Sequence, residues 1–394
     1  MNKLTIENIE PAGKRVFVRV DFNVPLADGE VSDDMRISAA LPTIRYLVER
    51  HAKVILASHL GRPKGKVVEA LKMDPVAERL GRLIGRTVRK LDDCVGEDVE
   101  KAVSEMNPGD IVLLENLRFH KEERANDESF AAALARLADI YVNDAFGTAH
   151  RAHASTHGIT GSIDQCAAGF LMEKEIKYFS KVLGDPARPL VTILGGAKVS
   201  DKIGTIKNLM DLTDKFLVGG GMAYTFLKAE GHEIGESLCE DDKIDTAREA
   251  VETAEGLDKA FVLPADSVIA RELSGEAETK VTEGRDIDNG WMGLDIGPKT
   301  VDLFRSELES AETIVWNGPL GAFEVKPFEE GTRSIAQCVA DSGAVSVIGG
   351  GDTAAALSQF GLSGNMSHIS TGGGASLEIL EGKKLPGIEA LTDR

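Results

Sequence analysis

Short runs of Val, Ile and Leu alternate along the chain with segments of helical pattern, and this alternation restricts the fold more than any other feature. In the first half, the runs lie within Lys14–Pro25, Lys53–Pro63, Asp110–His120 and Ile140–His153, and helical patterns separate them, as at Asp74–Ile84 and Asp127–Ala138. Strands that alternate with helices pair in parallel, because each helix returns the chain to the same edge of the sheet. Ligands of such sheets bind beyond the carboxyl ends of the strands. The sequence therefore predicts an α/β fold with its ligand site at the strand ends.

The strands of the second half end in glycine. The clearest case is Val345–Leu357 (VSVIGGGDTAAAL), in which an apolar run meets three glycines and a helical pattern follows at once. Similar turns follow Leu190–Leu194, Lys215–Val218, Thr313–Trp316 and Ser367–Ser370. Backbone N–H groups at a helix start attract anions, and glycines let a phosphate come close. Five such ends on one edge predict a polyphosphate site.

The length of 394 residues favours two or three domains, of which two is the simpler arrangement. The amphipathic pattern Phe170–Leu183, followed by Gly184, Pro186 and Pro189, predicts the connection between them. One more helix inside a single domain is the alternative.

Charge and composition exclude several partners. A formal net charge of −19 repels nucleic acid and anionic membranes, so neither is an expected partner. The sequence has no apolar run of membrane-spanning length and no secretory signal, so we expect a cytoplasmic protein. Cys94, Cys166, Cys239 and Cys338 form no C-x-x-C pair, which argues for reduced, structural thiols and against a structural zinc site.

The strand ends of the first half carry arginine and histidine. The residues concerned, with their polar and aromatic neighbours, are Asp21, Phe22, Asn23, Arg36, His59, Gly61, Arg62, Arg118, His150, Arg151 and His153. A guanidinium binds phosphate or carboxylate through two hydrogen bonds, so this edge suits a small phosphorylated acid. The spacing of His150, His153 and His157 is also compatible with a metal, but no carboxylate or cysteine ligand is near, and phosphate contact or structural packing is favoured.

Three further residue types point to nucleotide chemistry in the second half. Lys198 and Lys202 are four residues apart on a helix predicted after Gly196, where they could neutralise a transferring phosphoryl group, although a solvated lysine pair is the simpler interpretation. Asp352 could hold Mg²⁺, or it could cap a helix. Glu324 could accept hydrogen bonds from a ribose, or it could be an ordinary surface glutamate.

Two other functions compete with phosphoryl transfer. Gly349, Gly351 and Ala354 fit the G-x-G-x-x-A fingerprint of an NAD-dependent dehydrogenase, but the acidic residue expected about 20 positions later is missing. A non-catalytic sugar-phosphate binding protein could use the same arginines, yet it would not need the glycine-rich ends or the two lysines.

Eight motifs occur in an order that resembles the phosphoglycerate kinase family, from about Arg19 to Gly387. They are Arg19–Pro25 (RVDFNVP), Ser58–Pro63 (SHLGRP), Glu115–Phe119 (ENLRF), Gly147–His153 (GTAHRAH), Gly195–Lys202 (GGAKVSDK), Trp316–Pro319 (WNGP), Gly349–Thr353 (GGGDT) and Ser370–Gly374 (STGGG). Leu320 and Ala322 depart from the usual residues of the WNGPxGxFE run, which concerns nucleotide packing at most.

This resemblance implies two Rossmann-like domains, each a parallel β-sheet flanked by helices, joined by a long interdomain helix. The implied boundaries are residues 1–170 for the N-terminal phosphoglycerate-binding domain, 171–185 for the helix and 186–378 for the nucleotide-binding domain, with the tail from about 379 to 394 packing back onto the first domain. It also implies a cytoplasmic monomer that acts in glycolysis and gluconeogenesis. The reaction would be the reversible transfer of the acyl phosphate of 1,3-bisphosphoglycerate to ADP, giving 3-phosphoglycerate and ATP, with Mg²⁺.

The family's site residues carry over to matching positions. The phosphoglycerate would contact Asp21, Phe22, Asn23, Arg36, His59, Leu60, Gly61, Arg62, Arg118 and Arg151. The nucleotide would contact Gly195, Ala197, Lys198, Lys202, Gly219, Gly293, Asn317, Pro319, Glu324, Gly350, Gly351, Asp352 and Thr353, with Asp352 at the metal. Arg36, Lys202 and the backbone at Gly351 and Gly374 would act in catalysis. Because a carboxylate acceptor is already ionised, no general base is needed, and positioning with charge neutralisation must suffice.

Overall fold

The structure is a computed structural model that describes residues 2–394. The chain divides into two compact units. Unit 1 comprises the chain up to Lys177 together with Lys384–Arg394, and unit 2 comprises Tyr178–Lys383. None of the helices in the described residues is long and apolar enough to cross a membrane.

Seventeen strands are present among the described residues. They are β1 (Arg15–Val20), β2 (Leu26–Ala27), β3 (Glu30–Val31), β4 (Lys53–Ala57), β5 (Val88–Lys90), β6 (Ile111–Leu113), β7 (Ile140–Asp144), β8 (Cys166–Ala168), β9 (Leu190–Leu194), β10 (Lys215–Val218), β11 (Ala260–Val262), β12 (Ser267–Ala270), β13 (Lys280–Val281), β14 (Met292–Ile296), β15 (Thr313–Asn317), β16 (Val345–Gly349) and β17 (His368–Ile369).

The same part of the chain forms fourteen α-helices. They are α1 (Met35–Glu49), α2 (Asp74–Ile84), α3 (Glu97–Ser104), α4 (Lys121–Ala125), α5 (Glu128–Ala135), α6 (Phe170–Gly184), α7 (Ile203–Leu209), α8 (Ala223–Ala229), α9 (Ile244–Gly256), α10 (Pro298–Leu308), α11 (Glu330–Asp341), α12 (Gly351–Gln359), α13 (Gly374–Leu380) and α14 (Pro386–Glu389). The helix predicted at Asp74–Ile84 is confirmed residue for residue. The one predicted at Asp127–Ala138 is shorter at both ends: Asp127 is the N-cap of α5, and beyond Ala135 the N–H groups of Leu137 and Ala138 bond three residues back instead of four.

Each unit is built on a six-stranded parallel sheet. In unit 1 the strand order is β5-β6-β4-β1-β7-β8, and in unit 2 it is β11-β10-β9-β15-β16-β17. All pairs within these two sheets are parallel, so the carboxyl ends of the strands meet at one edge of each sheet. The predicted class, two parallel sheets flanked by helices, is confirmed.

The central strands are buried on both faces, which explains their nearly continuous apolar sequences. Val16, Val18 and Val20 of β1 lie in the core of unit 1, and Ile314 and Trp316 of β15 lie in the core of unit 2. Unit 2 also carries a small antiparallel sheet of order β13-β12-β14, which the sequence patterns did not predict. Its strands are short and interrupted by a bulge between Val268 and Ile269, so they give a weak periodic signal.

Residues 384–394 complete unit 1. The Gly387 backbone N–H donates to the Ala149 carbonyl at 2.8 Å, and the Thr392 N–H donates to the Cys166 carbonyl at 2.9 Å. Leu385, Ile388 and Leu391 are buried. This segment therefore supplies both hydrogen bonds and apolar surface to the unit that contains the first 177 residues.

Helix α6 begins on a buried carboxyl group. Asp144, the last residue of β7, accepts hydrogen bonds from the backbone N–H groups of Leu171 and Met172 at 2.9 and 3.2 Å. Gly169 is required beside it, since a Cβ there would lie 2.3 Å from Asp144 Oδ1. Burial raises the pKa of Asp144 to about 7, against the smaller lowering effects of Thr43 and these two N–H groups.

We expect the Asp144 carboxyl to make stability depend on pH. Its folded pKa lies above its unfolded value, so the folded state holds the proton more tightly, and this contribution to stability is present below pH 4 and lost as pH rises to about 7. The difference amounts to at most about 4 kcal/mol. In Asp144→Asn, one amide oxygen can accept both N–H groups without titrating. The thermal midpoint of the wild type should therefore fall more steeply from pH 5 to 7.5 than that of Asp144→Asn, while exposed Asp164→Asn should follow the wild type. Equal slopes for Asp144→Asn and the wild type would contradict this assignment.

Candidate active site

The predicted phosphoglycerate residues of unit 1 lie just beyond four strand ends. Asp21 follows β1, His59 follows β4 and Arg118 follows β6. Arg36, in the first turn of α1, donates from Nη1 to Asp21 Oδ2 at 2.8 Å, and His59 Nδ1 lies 4.0 Å from Asp21 Oδ1. The structure thus places Arg36, Asp21 and His59 side by side. Arg151, which follows β7, is exposed at the same edge and close enough to Arg118 to affect its pKa.

Hydrogen bonds between loops fix the backbone of this edge. Asn23 Oδ1 accepts from the Gly61 N–H, and Arg118 Nη1 donates to the Gly61 carbonyl, both at 2.8 Å. Gly61 has a φ of +62°, which favours glycine, and a Cβ there would meet the Leu71 side chain at 2.8 Å. Arg62 follows with an exposed side chain.

Phe22 and Leu60 cannot offer their side chains to a ligand, because both are buried in the core. Their backbone N–H groups are also occupied: that of Phe22 donates to Ser58 Oγ at 2.8 Å, and that of Leu60 donates to Asn116 Oδ1 at 3.1 Å. These two members of the predicted set therefore hold the shape of the loops.

A buried polar network below this edge was missed by the sequence analysis. Arg19 is 1% exposed, and its Nε donates to Ser155 Oγ at 2.8 Å. Ser155 Oγ donates in turn to Glu123 Oε1 at 2.6 Å, and Arg19 Nη2 lies 3.3 Å from His59 Nδ1. The only sequence signal was an arginine inside an otherwise apolar strand (RVFVRV), whereas Ser155 and Glu123 are remote in sequence.

Positive charge is concentrated here, and the pKa values show it. Burial, with Arg19 and Arg151, lowers the pKa of Arg118 to about 10. Burial together with the Arg19 and Arg118 charges lowers the pKa of His59 well below its usual value and that of His153 to about 3. His59 is therefore neutral at pH 7. Nε of Arg118 is buried and has no hydrogen-bond partner within residues 2–394. An anion at this edge would both accept from Arg118 and relieve the repulsion between the cations.

The three histidines considered as metal ligands face different partners. His153 Nδ1 lies 3.9 Å from Glu123 Oε1, His157 lies 3.5 Å from the Asn126 amide, and His150 Nε2 accepts from Arg151 Nε at 2.9 Å. Across residues 2–394, the groups of three metal-binding side chains do not include them.

In unit 2, glycines let the loops at the strand ends pack against one another. Gly195 follows β9, and a Cβ on it would lie 2.1 Å from the Pro319 carbonyl oxygen. Gly219 follows β10 beneath Leu320, and a Cβ on Gly293 would lie 2.0 Å from the Tyr224 hydroxyl. A larger residue at any of these three positions would displace the backbone of a neighbouring loop or a buried side chain.

Lys202 and Asn317 form the buried polar centre of this edge. Lys202 is 9% exposed, and its Nζ donates to Asn317 Oδ1. Burial lowers the pKa of Lys202, while Asp201, Asp352 and Glu381 oppose the shift. Nδ2 of Asn317 is buried and has no hydrogen-bond partner in the described part of the chain. The Lys202 ammonium group and the unpaired N–H donors of the Asn317 amide thus lie next to each other.

The helix predicted after Gly196 is present but begins later than predicted. Helix α7 begins only at Ile203, and Lys198 and Lys202 precede it in a turn. The turn is irregular because the backbone N–H groups of Lys202 and Ile203 both donate to the Val199 carbonyl, and Ser200 is bound to Glu240 through its N–H and hydroxyl. The two lysines therefore do not share a helix face: Lys202 is buried, whereas Lys198 is exposed. Ala197, also exposed, lies 3.4 Å from the position of a Cβ on Gly221.

The segment Val345–Leu357 forms the predicted strand, turn and helix. Gly350 occupies the N-cap of α12 with a φ of +90°, and Gly351 begins the helix. The interpretation of Asp352 as the N-cap is therefore wrong, because Gly350 holds that position. Thr353 Oγ1 accepts from the Gly318 N–H at 2.8 Å, which ties this helix to the β15 loop. Gly374 begins α13 in the neighbouring loop.

Asp352 is exposed in the first turn of α12, near enough to Lys202 to affect its pKa. Mg²⁺ keeps several waters and takes one or two protein carboxylates together with substrate phosphates. One exposed carboxylate beside a helix N-terminus and a buried lysine fits that requirement, so the residues present suit a phosphate-bound Mg²⁺. Glu324, exposed in the loop after β15, stays a prediction.

Two parallel α/β units, one with buried cations and one with glycine-rich strand ends and a buried lysine, define a phosphoryl-transfer enzyme. The comparisons with known proteins are specific. Residues 6–383 match the phosphoglycerate kinase family, and the phosphoglycerate kinase of Dictyoglomus turgidum is 56% identical over 99% of this chain and 98% of its own. The chain therefore belongs to the phosphoglycerate kinase family.

Solved structures agree with this assignment. The phosphoglycerate kinase of Coxiella burnetii is 43% identical with a TM-score of 0.92, and that of Pyrococcus horikoshii OT3 is 34% identical with a TM-score of 0.84. Each alignment covers 98% of both chains. The protein is a phosphotransferase that acts on small molecules, and neither the dehydrogenase nor the non-catalytic binding protein is favoured.

Proposed function

We propose that the protein transfers the acyl phosphate of 1,3-bisphosphoglycerate to ADP, reversibly, as a step of glycolysis and gluconeogenesis. The observation that carries the proposal is a pair of buried, unused donors at the two sheet edges: Arg118 Nε in unit 1 and Asn317 Nδ2 in unit 2, each without a hydrogen-bond partner in residues 2–394. A buried donor without a partner is costly, so each indicates a ligand acceptor. The cationic edge suits the phosphorylated acid, and the glycine-rich edge suits the nucleotide phosphates.

The residues of unit 1 bind and orient the acid. Arg118 and Arg151 pair with its phosphate or carboxylate. The hydrogen bond that Arg36 donates to Asp21 holds the Arg36 guanidinium in place beside the acid. The free acceptor capacity of Asp21 suits a hydroxyl of the substrate, and neutral His59 offers a hydrogen bond without adding charge. Arg62 extends the cationic surface. The backbone of Asn23, Gly61 and their neighbours keeps these groups in register.

The residues of unit 2 hold the nucleotide. Backbone N–H groups at Gly350, Gly351 and Gly374 point toward phosphate oxygens, and Lys202 with Asn317 binds the group in transit. Gly195, Ala197, Gly219 and Gly293 leave room for the nucleotide, Glu324 accepts from the ribose, and Lys198, Pro319 and Thr353 border the phosphates. Mg²⁺ would be held by Asp352 and the nucleotide phosphates, where it supplies neutralisation of their charge.

The chemistry needs no general base. A β-phosphate oxygen of ADP forms the new bond to phosphorus, and the bond to the acyl oxygen breaks, releasing the carboxylate of 3-phosphoglycerate. Both the acceptor and the leaving group are ionised at pH 7, so no proton has to move. Lys202 and Arg36 each supply positive charge that stabilises the transferring group. The two substrates must be brought together, so we propose domain closure about α6, which also excludes water from the acyl phosphate.

A coupled assay of ATP formation from 1,3-bisphosphoglycerate and ADP tests the function directly. We expect ATP formation that requires both substrates and Mg²⁺. Absence of turnover in the folded protein would contradict the proposal, and binding of NADH would revive the dehydrogenase interpretation. We also propose a cytoplasmic monomer, which light scattering of the purified protein and fractionation of its source cells would check.

Arg118→Met should mainly weaken the binding of phosphoglycerate. The variant loses a charge-assisted contact, so KM for 3-phosphoglycerate should rise about tenfold or more, while KM for ATP stays within about twofold. Arg89→Met, at an exposed position of β5, is the matched control and should leave both constants unchanged. Steady-state kinetics with each substrate varied in turn provides the measurement. An unchanged KM for 3-phosphoglycerate in Arg118→Met would remove Arg118 from the site.

A further inference from the structure

Three metal-binding side chains meet in unit 1, whereas the proposed Mg²⁺ residue Asp352 belongs to unit 2. Asp93 and Cys94 follow β5, and His120 lies between the short 3-10 turn Leu117–Phe119 and α4. One carboxylate oxygen, the thiol sulfur and one imidazole nitrogen all lie within 4.8 Å of one another. Within residues 2–394, no other group of three such side chains has its ligand atoms this close together.

The cluster is held in place by its surroundings. His120 Nε2 lies 2.7 Å from Asp93 Oδ1, and the ring stacks on Phe130 with centroids 5.1 Å apart and an interplanar angle of 30°. Asp93 Oδ1 also accepts from the Cys94 N–H at 2.6 Å, and the Asp93 carbonyl accepts from the Glu115 N–H at 3.3 Å. Two side chains thus have their orientation set before any ion binds, which lowers the ordering cost of binding.

The burial of the three residues is graded. Cys94 is 0% exposed, His120 is partly exposed and Asp93 is exposed. An ion would therefore meet Asp93 and His120 first, and a local movement of the cluster must open a path to the buried sulfur. Because only three protein ligands are present, a fourth position remains for water.

We propose that Asp93, Cys94 and His120 bind one Zn²⁺ ion per chain, with water as the fourth ligand. A sulfur, an imidazole nitrogen and a carboxylate oxygen are the donors that zinc accepts, whereas Mg²⁺ takes oxygen ligands. Tetrahedral zinc holds its N, O and S ligands about 3.3–3.6 Å apart. The present Nε2–Oδ1 contact of 2.7 Å must therefore open by roughly 0.6 Å, and a sulfur at the 4.8 Å limit would have to move inward by about 1.2 Å.

Zinc takes a cysteine ligand as the thiolate, so its binding at this cluster releases the proton of the Cys94 thiol. The absence of any C-x-x-C spacing concealed the site, since its ligands come from two loops separated by more than twenty residues of sequence.

Cobalt and zinc titrations of the full chain test the proposal without using activity as the readout. Co²⁺ bound to a thiolate gives a sulfur-to-metal charge-transfer band, and we expect this band to saturate at one Co²⁺ per chain and to be displaced by Zn²⁺ in the presence of excess Mg²⁺. His120→Ala should weaken Zn²⁺ binding by about 100-fold or more. Cys94→Ser should abolish the charge-transfer band.

Matched controls separate this cluster from ordinary surface groups. Cys239→Ser and Cys338→Ser should keep the band and the zinc affinity. His232 forms a comparable pair with Asp286 at 2.9 Å but has no thiol in that contact, so His232→Ala should also retain zinc binding. His120 is partly exposed, so His120→Ala keeps the test decisive even if Cys94→Ser fails to fold. Absence of the band, its loss in Cys239→Ser, or unchanged zinc affinity in His120→Ala would each overturn the proposal.

Discussion

Replacing Lys202 with methionine should lower kcat by about 100-fold or more, with a smaller change in KM for ATP. The ammonium group is buried and hydrogen-bonded to Asn317, in surroundings of low polarity where its attraction for a phosphoryl group is strong. Methionine keeps much of the side-chain volume and removes the charge. The effect should fall on kcat because the Lys202 ammonium group attracts the negative charge of the phosphoryl group most strongly while that group is being transferred.

Lys207→Met is the control for this variant. Lys207 lies on α7, five residues further on, and its side chain is 61% exposed. We expect kinetics like those of the wild type from it. Steady-state measurements in the direction of ATP formation, with circular dichroism to verify folding, decide the matter. A normal kcat in folded Lys202→Met would remove Lys202 from the mechanism.

Replacing Arg36 with methionine should also lower kcat by about 100-fold. Its Nη1 is 2.8 Å from Asp21 Oδ2, and 43% of the side chain is exposed, so one face of the guanidinium is fixed while the other is open to a ligand. Arg36→Lys should restore only part of the rate, because lysine carries the charge without the planar pair of donors.

Arg45→Met provides the comparison on the same helix, since Arg45 donates to the Leu83 carbonyl at 3.1 Å and not to the site. It should leave kcat unchanged. If Arg36→Met and Arg45→Met lost activity equally, the loss would reflect damage to α1. If Arg36→Lys matched the wild type, simple charge would suffice and the two-donor role would fail.

The fold could be predicted because its determinants are local. The apolar runs and the helical spacing give β9, β10, α2 and α6 close to their observed ends. Parallel pairing then brings the strand ends together, so residues such as Asp21, His59 and Arg118 could be assigned to one edge from the amino-acid sequence alone. The positions of side chains follow from the topology in these cases.

What failed depended on contacts between residues remote in sequence. The turn at Lys198 is non-helical because Ser200 is bound by Glu240, which lies forty residues later. Phe22 and Leu60 point into the core because their loops are held by Ser58 and Asn116. No periodic pattern records such pairs, and the Arg19 network and the Asp93–His120 contact were missed for the same reason.

The hydrogen bonds of residues 384–394 to unit 1 have a consequence for synthesis on the ribosome. Unit 2 is one uninterrupted stretch, whereas unit 1 needs a segment that is translated only after all of unit 2. The carbonyls of Ala149 and Cys166 thus cannot accept their hydrogen bonds from Gly387 and Thr392 until more than two hundred further residues have been translated. Unit 2 can reach its final hydrogen bonding first, and the unit that begins the chain is the last to be completed.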